Sequence, residues 1–256
     1  MPAWKTFKYE AEYNFDLKQL KERWPELHRG DCEPWPSNET LQKAWQHYHA
    51  GRFNKAVTTA ESLGIEAFAP HAKAMIIYSD HLEDDELEQQ KLYQKAVDLT
   101  AIARETYPEA ANAHYLYAFA LGRYAQSIST AKALRQGMGG KIGDSIDATL
   151  ACTAKHADAH LAKGLFHAEI VDKVGKLVAK MTYGANNTKA LEHLEIAIKL
   201  NPKAPISWIE YGNGIYTING EAALGDANEA YSKAAKLTSR DAVERLDQLF
   251  AINELE

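Results

Sequence analysis

Residues 190–216, ALEHLEIAIKLNPKAPISWIEYGNGIY, contain two apolar patterns separated by a short stretch that breaks helices. In the first pattern, Ala190, Leu194 and Ala197 are spaced four and three residues apart, which places them on one face of a helix. Pro202 then ends that helix, because proline lacks the backbone N–H that a helix interior requires. The stretch therefore predicts two helices joined by a tight turn.

The second pattern pairs large residues with a small one. Trp208, Tyr211, Gly212 and Ile215 follow one another at spacings of three, one and three. A small residue lets a neighbouring helix approach closely, and the large residues fill the space beside it. Because glycine inside a helix costs about 1 kcal/mol relative to alanine, we expect a close helix contact at Gly212.

Both patterns recur along the chain, which predicts about five helical pairs. The pairs fall near residues 39–67, 70–106, 108–153, 156–201 and 204–238, and a final helix at 240–253 would cap the array. The first pattern recurs at Ala227, Tyr231 and Ala234, at Gln89, Tyr93 and Ala96, at Ile142, Ile146 and Thr149, and at Ala56 and Ala60. The second recurs at His114, Tyr117, Ala118 and Leu121, and at His160, Lys163, Gly164 and His167.

These units resemble the tetratricopeptide (TPR) repeat. The resemblance rests on W-x2-Y-G-x2-I at 208–215, A-x3-L-x2-A at 190–197, Pro202, and AGRFNKA at 50–56, which is similar to the turn inside such a repeat. It implies an all-α fold, a right-handed superhelical solenoid of about five TPR-like helix pairs with a C-terminal capping helix.

A narrower resemblance covers about residues 110–220. The segments ALGRYAQ, GGKIGDS, KHADAHLAKGLFHAEI and MTYGANNTKALEH are similar to the regulator of microtubule dynamics proteins and to bacterial TPR proteins associated with TRAP-type transporters. The third and fourth units are longer than a usual repeat of about 34 residues. Their extra residues, 134–145 and 171–188, would form long inter-helix segments or extended helices.

The N-terminal segment is rich in aromatic residues. Phe7, Tyr9, Tyr13 and Phe15 alternate with other residues, which favours extended structure or an arm packed by its aromatic rings, and residues 16–24 predict a short helix with Asp16 as its N-cap. Rings of this size are costly to leave in water. We therefore expect residues 1–38 to form an arm that packs on a repeat domain of residues 39–256.

Composition limits the partners and the compartment. The net charge is -6 and no block of Lys and Arg is present, which argues against nucleic acid and against an anionic membrane surface as the main partner. No apolar run approaches the ~20 residues that a membrane-spanning helix needs, and the first residues do not resemble a secretory signal. Cys32 and Cys152 lie far apart. We expect reduced thiols, a cytoplasmic protein and no membrane insertion.

Three histidines are the strongest candidates for metal chemistry. His156, His160 and His167 share one predicted helix, with Asp158 and Glu169 nearby, so a zinc or iron site is conceivable. His160 and His167 also occupy the packing positions of the second pattern, and we favour that interpretation. No catalytic or nucleotide-binding motif is present. We therefore predict no catalytic residue, no metal and no cofactor.

The resemblance implies a binding face, since the first helix of each pair lines the concave side of a TPR solenoid. The predicted lining is apolar and aromatic, and Arg123 could hold a carboxylate or phosphate. We predict a non-enzymatic scaffold for a protein or peptide partner; a carrier of a hydrophobic or lipid-like small molecule and a metal-dependent enzyme are the alternatives. The N-terminal arm or the long inserts could instead fill the groove. The predicted lining consists of Trp45, Tyr48, Tyr115, Phe119, Arg123, Leu161, Leu165, Glu169, Ile209, Asn213 and Tyr216.

Overall fold

The computed structural model describes residues 4–256, except for the side chains of Thr130 and Ala131. This part of the chain is helical, with no β-strand. None of its helices combines the length and the apolar character that crossing a membrane requires. The helices are α1 (Leu17–Leu27), α2 (Glu39–His49), α3 (Phe53–Glu61), α4 (Phe68–His81), α5 (Glu86–Thr106), α6 (Ala111–Ser127), α7 (Thr130–Arg135), α8 (Met138–Cys152), α9 (Ala157–Val174), α10 (Lys176–Tyr183), α11 (Asn187–Leu200), α12 (Pro205–Asn219), α13 (Leu224–Lys236) and α14 (Ala242–Asn253).

The five predicted helical pairs are confirmed. Helices α2 and α3, α4 and α5, α6 and α8, α9 and α11, and α12 and α13 pack against each other in sequence order. Helix α14 agrees with the predicted final helix at 240–253. The two inserts behave differently. Most of the first insert, residues 134–145, forms the start of α8, so it extends a helix of its pair, whereas the second insert, residues 171–188, contains the separate short helix α10.

Small residues set the distance between helices, as the two patterns predict. Ala190, Leu194 and Ala197 are completely buried on α11. A Cβ atom added at Gly212 would lie 3.1 Å from the Tyr231 ring and 3.2 Å from the Ala227 carbonyl oxygen, so the expected close contact at Gly212 is confirmed. In the pairs α9–α11 and α12–α13, a large side chain therefore packs over a glycine of the opposite helix, Leu194 over Gly164 and Tyr231 over Gly212.

The N-terminal segment contains a turn whose aromatic rings contact one another, followed by a helix. Residues Glu10–Tyr13 form a 3-10 turn, so the alternating pattern does not give a continuous extended arm. Helix α1 follows, with the Asp16 side chain accepting from the Gln19 backbone N–H and the Gln19 side chain accepting from the Asp16 backbone N–H. This reciprocal capping box confirms Asp16 as the N-cap.

The chain forms two compact units. Unit 1 comprises Met1–His28, Glu33–Cys152 and Asp241–Val243, and unit 2 comprises Arg29–Cys32, Thr153–Arg240 and Glu244–Glu256. The boundary between an arm of residues 1–38 and a repeat domain of residues 39–256 stays a prediction.

Candidate functional site

The first helices of successive pairs lie side by side within each unit. In unit 1, helix α4 contacts both α2 and α6, and in unit 2, α9 contacts α12. We call the surface of these helices the first-helix face. All eleven predicted binding residues lie on four of these five helices, α2, α6, α9 and α12.

Two predicted residues of unit 1 belong to the core. Trp45 is completely buried and Tyr48 is 4% exposed. The Trp45 ring centroid lies 5.5 Å from that of Trp24 and 4.8 Å from that of His28, both edge-on. This corrects the expectation that Trp45 and Tyr48 line an open groove, because aromatic residues of the chain itself already cover them.

Helix α6 carries the other three predicted residues of unit 1. Tyr115 is buried at 8% exposure, and its ring stacks at 5.9 Å on Phe119, which is half-buried. The guanidinium carbon of Arg123 lies 5.4 Å from the Phe119 ring centroid, within the range of a cation–π contact. Phe119 and Arg123 therefore keep accessible surface, whereas Tyr115 mainly supports them.

Arg123 is held by an acidic residue that the sequence prediction missed. Its Nε atom lies 3.0 Å from Asp80 Oδ2 on α4, and Asp80 Oδ1 accepts a 2.7 Å hydrogen bond from the Tyr93 hydroxyl. The Arg123 Nη1 atom also donates to Gln126 at 3.2 Å. Burial, followed by the Asp80 carboxylate, raises the pKa of Tyr93, so this hydroxyl remains a hydrogen-bond donor. The guanidinium is thus fixed in place and its charge is compensated within the chain.

Residues of the N-terminal segment contact all three first helices of unit 1. The Trp4 ring stacks on Tyr78 of α4 with a centroid distance of 4.0 Å. The Gln46 amide of α2 donates to the Phe15 carbonyl oxygen at 2.6 Å. The Asn112 side chain of α6 donates to the Glu33 carboxylate. The segment therefore contacts the first helices of unit 1 at three places.

In unit 2, the first predicted position on each of the helices α9 and α12 is again in the core. Leu161 is 4% exposed and packs with Leu194 and Ala197, and Ile209 is 2% exposed and packs with Ala234 and Ala251. Neither presents a surface to a ligand, which corrects the expectation of an apolar lining at these two residues.

The remaining predicted residues of unit 2 are more accessible. Leu165 and Asn213 are half-buried, and Glu169 is exposed. The Asn213 oxygen accepts a 2.6 Å hydrogen bond from the Tyr231 hydroxyl. Tyr216 is 40% exposed, and its hydroxyl donates to Glu221 at 2.8 Å. The accessible part of this face is therefore mainly polar.

The histidines considered for a metal site have structural contacts. The His156 Nδ1 atom accepts from the Ala159 backbone N–H and caps α9. The His160 Nδ1 atom lies 2.8 Å from Nδ1 of His193, and its Nε2 atom lies 3.1 Å from the Ala154 carbonyl oxygen. The His167 ring stacks on His193 with a centroid distance of 6.0 Å. Within residues 4–256, no three His, Cys, Asp or Glu side chains are grouped so that they could hold a metal ion.

A buried chain of two imidazoles and a carboxylate in unit 1 escaped the sequence reasoning. The His28 and His49 Nε2 atoms are 3.1 Å apart, and His49 Nδ1 lies 2.6 Å from Asp241 Oδ2. All three residues are at most 5% exposed. No local pattern could reveal this chain, since Asp241 follows His49 by 192 residues.

The fold and the packed first helices define a TPR-like helical-repeat protein. Residues 39–208 match the family model described as regulator of microtubule dynamics protein 1-3, and the chain belongs to this family. A search of curated protein sequences gave no match.

Among solved structures, the crystal structure of a thermophilic TPR protein of Thermus thermophilus is similar. Its TM-score is 0.59 at 18% identity, over 84% of this chain and 98% of that protein. The likeness supports the TPR-type fold alone. TPR-like proteins commonly bind other proteins and are generally non-enzymatic.

Proposed function

We propose that the chain is a non-enzymatic TPR-type scaffold that binds a partner protein or peptide through the accessible part of the first-helix face, centred on α6. The observation that carries this proposal is the arrangement of Phe119, Arg123 and Asp80. A half-buried aromatic ring lies beside a guanidinium that is fixed 3.0 Å from a carboxylate. An accessible ring framed by an immobilised ion pair offers an apolar contact area and polar groups of defined direction.

The ion pair changes the partner chemistry that the sequence suggests. A ligand carboxylate would have to compete with Asp80 for Arg123, and that competition removes most of the gain from a new charge pair. An uncharged peptide segment avoids this cost. Its backbone amide groups can form hydrogen bonds with the Arg123 guanidinium and the Asp80 carboxylate without breaking their ion pair, while an apolar side chain packs on Phe119. The favoured partner is therefore a peptide with an aromatic or aliphatic anchor and no acidic requirement.

Selection of random peptides on the full chain tests this proposal. Enriched peptides should carry an apolar anchor and should bind Phe119→Ala at least tenfold more weakly, because a central aromatic contact contributes more than about 1.4 kcal/mol. Leu87→Ala is the matched control, since Leu87 is 69% exposed on the second helix α5. Circular dichroism establishes that both variants fold.

Two results would count against the proposal. Peptides that bind wild type and Phe119→Ala equally would remove α6 from the binding surface. Acidic peptides that lose binding on Arg123→Gln would restore the carboxylate-binding role of Arg123 and would contradict the preference for uncharged partners.

The small-molecule carrier stays an alternative prediction. The packing of Leu161 and Ile209 into the core supports a peptide partner over a carrier, because these side chains were the expected apolar lining in unit 2. Native mass spectrometry of freshly purified protein decides between them, since a carrier retains a bound lipid or acid. A cytoplasmic location is likewise part of this proposal, and it is checked by fractionation of cells.

A further inference from the structure

Helix α10 in unit 2 is a separate short element whose main packing partner is α9. It lies between Gly175 and Gly184, whose φ angles of 78° and 62° give the chain sharp turns at both ends of the helix. Its fully buried Ala179 faces α9, and its Tyr183 ring meets the Phe166 ring of α9 edge-on at 6.3 Å. One face of α10 thus anchors it to the protein.

The opposite face of α10 exposes three apolar side chains. Leu177 is 72% exposed, Val178 48% and Met181 78%. At about 100° per residue, Leu177 and Met181 lie about 160° around the helix from Ala179. We call these three residues the α10 stripe. Scattered exposed apolar residues are ordinary, but a cluster on one helix face marks an interaction surface.

Positive charge lies along one edge of this stripe. Lys176 and Lys180 occupy the arc between Ala179 and the stripe, and within the described residues neither lysine forms an ion pair. Residues 170–190 contain four lysines and one acidic residue, Asp172, although the whole chain has a net charge of -6. The sequence around α10 is therefore locally basic, although the whole chain is acidic.

We propose that α10 docks the protein on a membrane surface that contains anionic lipids, with the α10 stripe at the acyl boundary and Lys176 and Lys180 on headgroup phosphates. An apolar face flanked by lysines is the pattern of a helix that lies in the interface plane. A lipid surface also needs no fitted groove, so it can accept a short convex stripe whose side chains are more exposed than those of the first-helix face. This inference does not rest on the proposed scaffold function.

Co-sedimentation of the full chain with vesicles tests the docking. Vesicles of phosphatidylcholine with about a third phosphatidylserine should bind the protein, and phosphatidylcholine alone should bind it much less. Because each lysine near such a surface contributes on the order of fivefold in binding, Lys176→Gln with Lys180→Gln should weaken binding on the order of 25-fold. Raising the salt to about 0.5 M should have a similar effect on the wild type.

The apolar contribution is measured with a second pair of variants. Leu177→Gln with Met181→Gln should weaken binding at least tenfold, because both side chains would leave the acyl boundary. Leu87→Gln on α5 is the matched control, since it replaces an equally exposed leucine in the other unit and should leave vesicle binding unchanged. All of these positions are at the surface, so the variants keep the fold.

Three outcomes would overturn the docking. The first is no binding to either vesicle composition. The second is binding that the α10 variants leave unchanged or that does not distinguish the two lipids. The third is a dimer, found by light scattering, that disappears in Leu177→Gln with Met181→Gln while vesicles remain unbound, because this assigns the stripe to a second copy of the chain.

Discussion

Helices pack together through different kinds of side chain in two regions of the molecule. Around α2 in unit 1, the contacts are made by large rings, with Trp24 stacked on His28 at 3.8 Å and both edge-on to Trp45. Around α11 in unit 2, one leucine packs over two glycines. A Cβ atom added at Gly164 or Gly214 would lie 2.6 Å or 2.4 Å from Leu194.

The difference shows what each region is sensitive to. The aromatic region depends on buried area and uses residues of α1, which precede the first repeat. The glycine region depends on a short distance between helices and uses residues within the repeats. We therefore expect loss of volume to be most damaging in unit 1 and gain of volume in unit 2.

The largest effect is expected for Trp45→Ala. Removing a fully buried indole should lower the free energy of unfolding by about 3–5 kcal/mol, through lost apolar burial and the cavity left behind. Trp208→Ala in unit 2 is the comparison, since Trp208 is only half-buried and should cost less than half as much. Urea unfolding measures both, and equal losses would contradict the contrast between the two regions.

A smaller effect of opposite origin is expected for Gly164→Ala. The new methyl would collide with Leu194, and overpacking should cost about 1–3 kcal/mol despite the better helix propensity of alanine. Gly122→Ala on α6 is the control, because nothing lies within 4 Å of its added Cβ, and it should gain about 0.5–1 kcal/mol. Stabilisation by both substitutions would show that Leu194 moves aside without cost.

The smallest effect concerns pH and unit 1. Burial is the main cause that lowers the pKa of His71 on α4, with the Glu61 carboxylate opposing it and Lys95 adding to it. Because the pKa of His71 is lower in the folded chain, the unfolded chain binds a proton at His71 more readily. The free energy of unfolding is therefore unaffected by His71 above about pH 6.5 and decreases as the pH falls below that value. His71→Gln should flatten the decline between about pH 7.5 and 5.5 in urea unfolding. An unchanged slope would contradict this role of His71.

The repeat architecture could be predicted because its signals are local. Ala190, Leu194 and Ala197 share a helix face whatever the rest of the chain does. Gly212 predicts a close helix contact, because glycine is unfavourable inside a helix unless a neighbour needs the space. Asp16 was predictable for the same reason, since a capping box involves residues three apart. The 3-10 turn at Glu10–Tyr13 was not, because alternating aromatic residues are compatible with several extended or turned backbones.

The site was only partly predictable. The sequence placed Phe119 and Arg123 on the correct helix, but it could not show that Asp80 compensates Arg123, because that contact joins different repeats. It also placed Trp45 and Ile209 at inward positions. An inward position is compatible both with the lining of a groove and with a buried core. Which of the two they form depends on what packs above them.

The sequence by itself determined the helices of the five pairs and their order, since helix periodicity, caps and breakers act over a few residues. Only the tertiary structure decided which faces remain accessible. Trp24 covers Trp45, Ala251 covers Ile209, and the apolar side chains of α10 stay exposed, because burial depends on neighbours brought from distant parts of the chain.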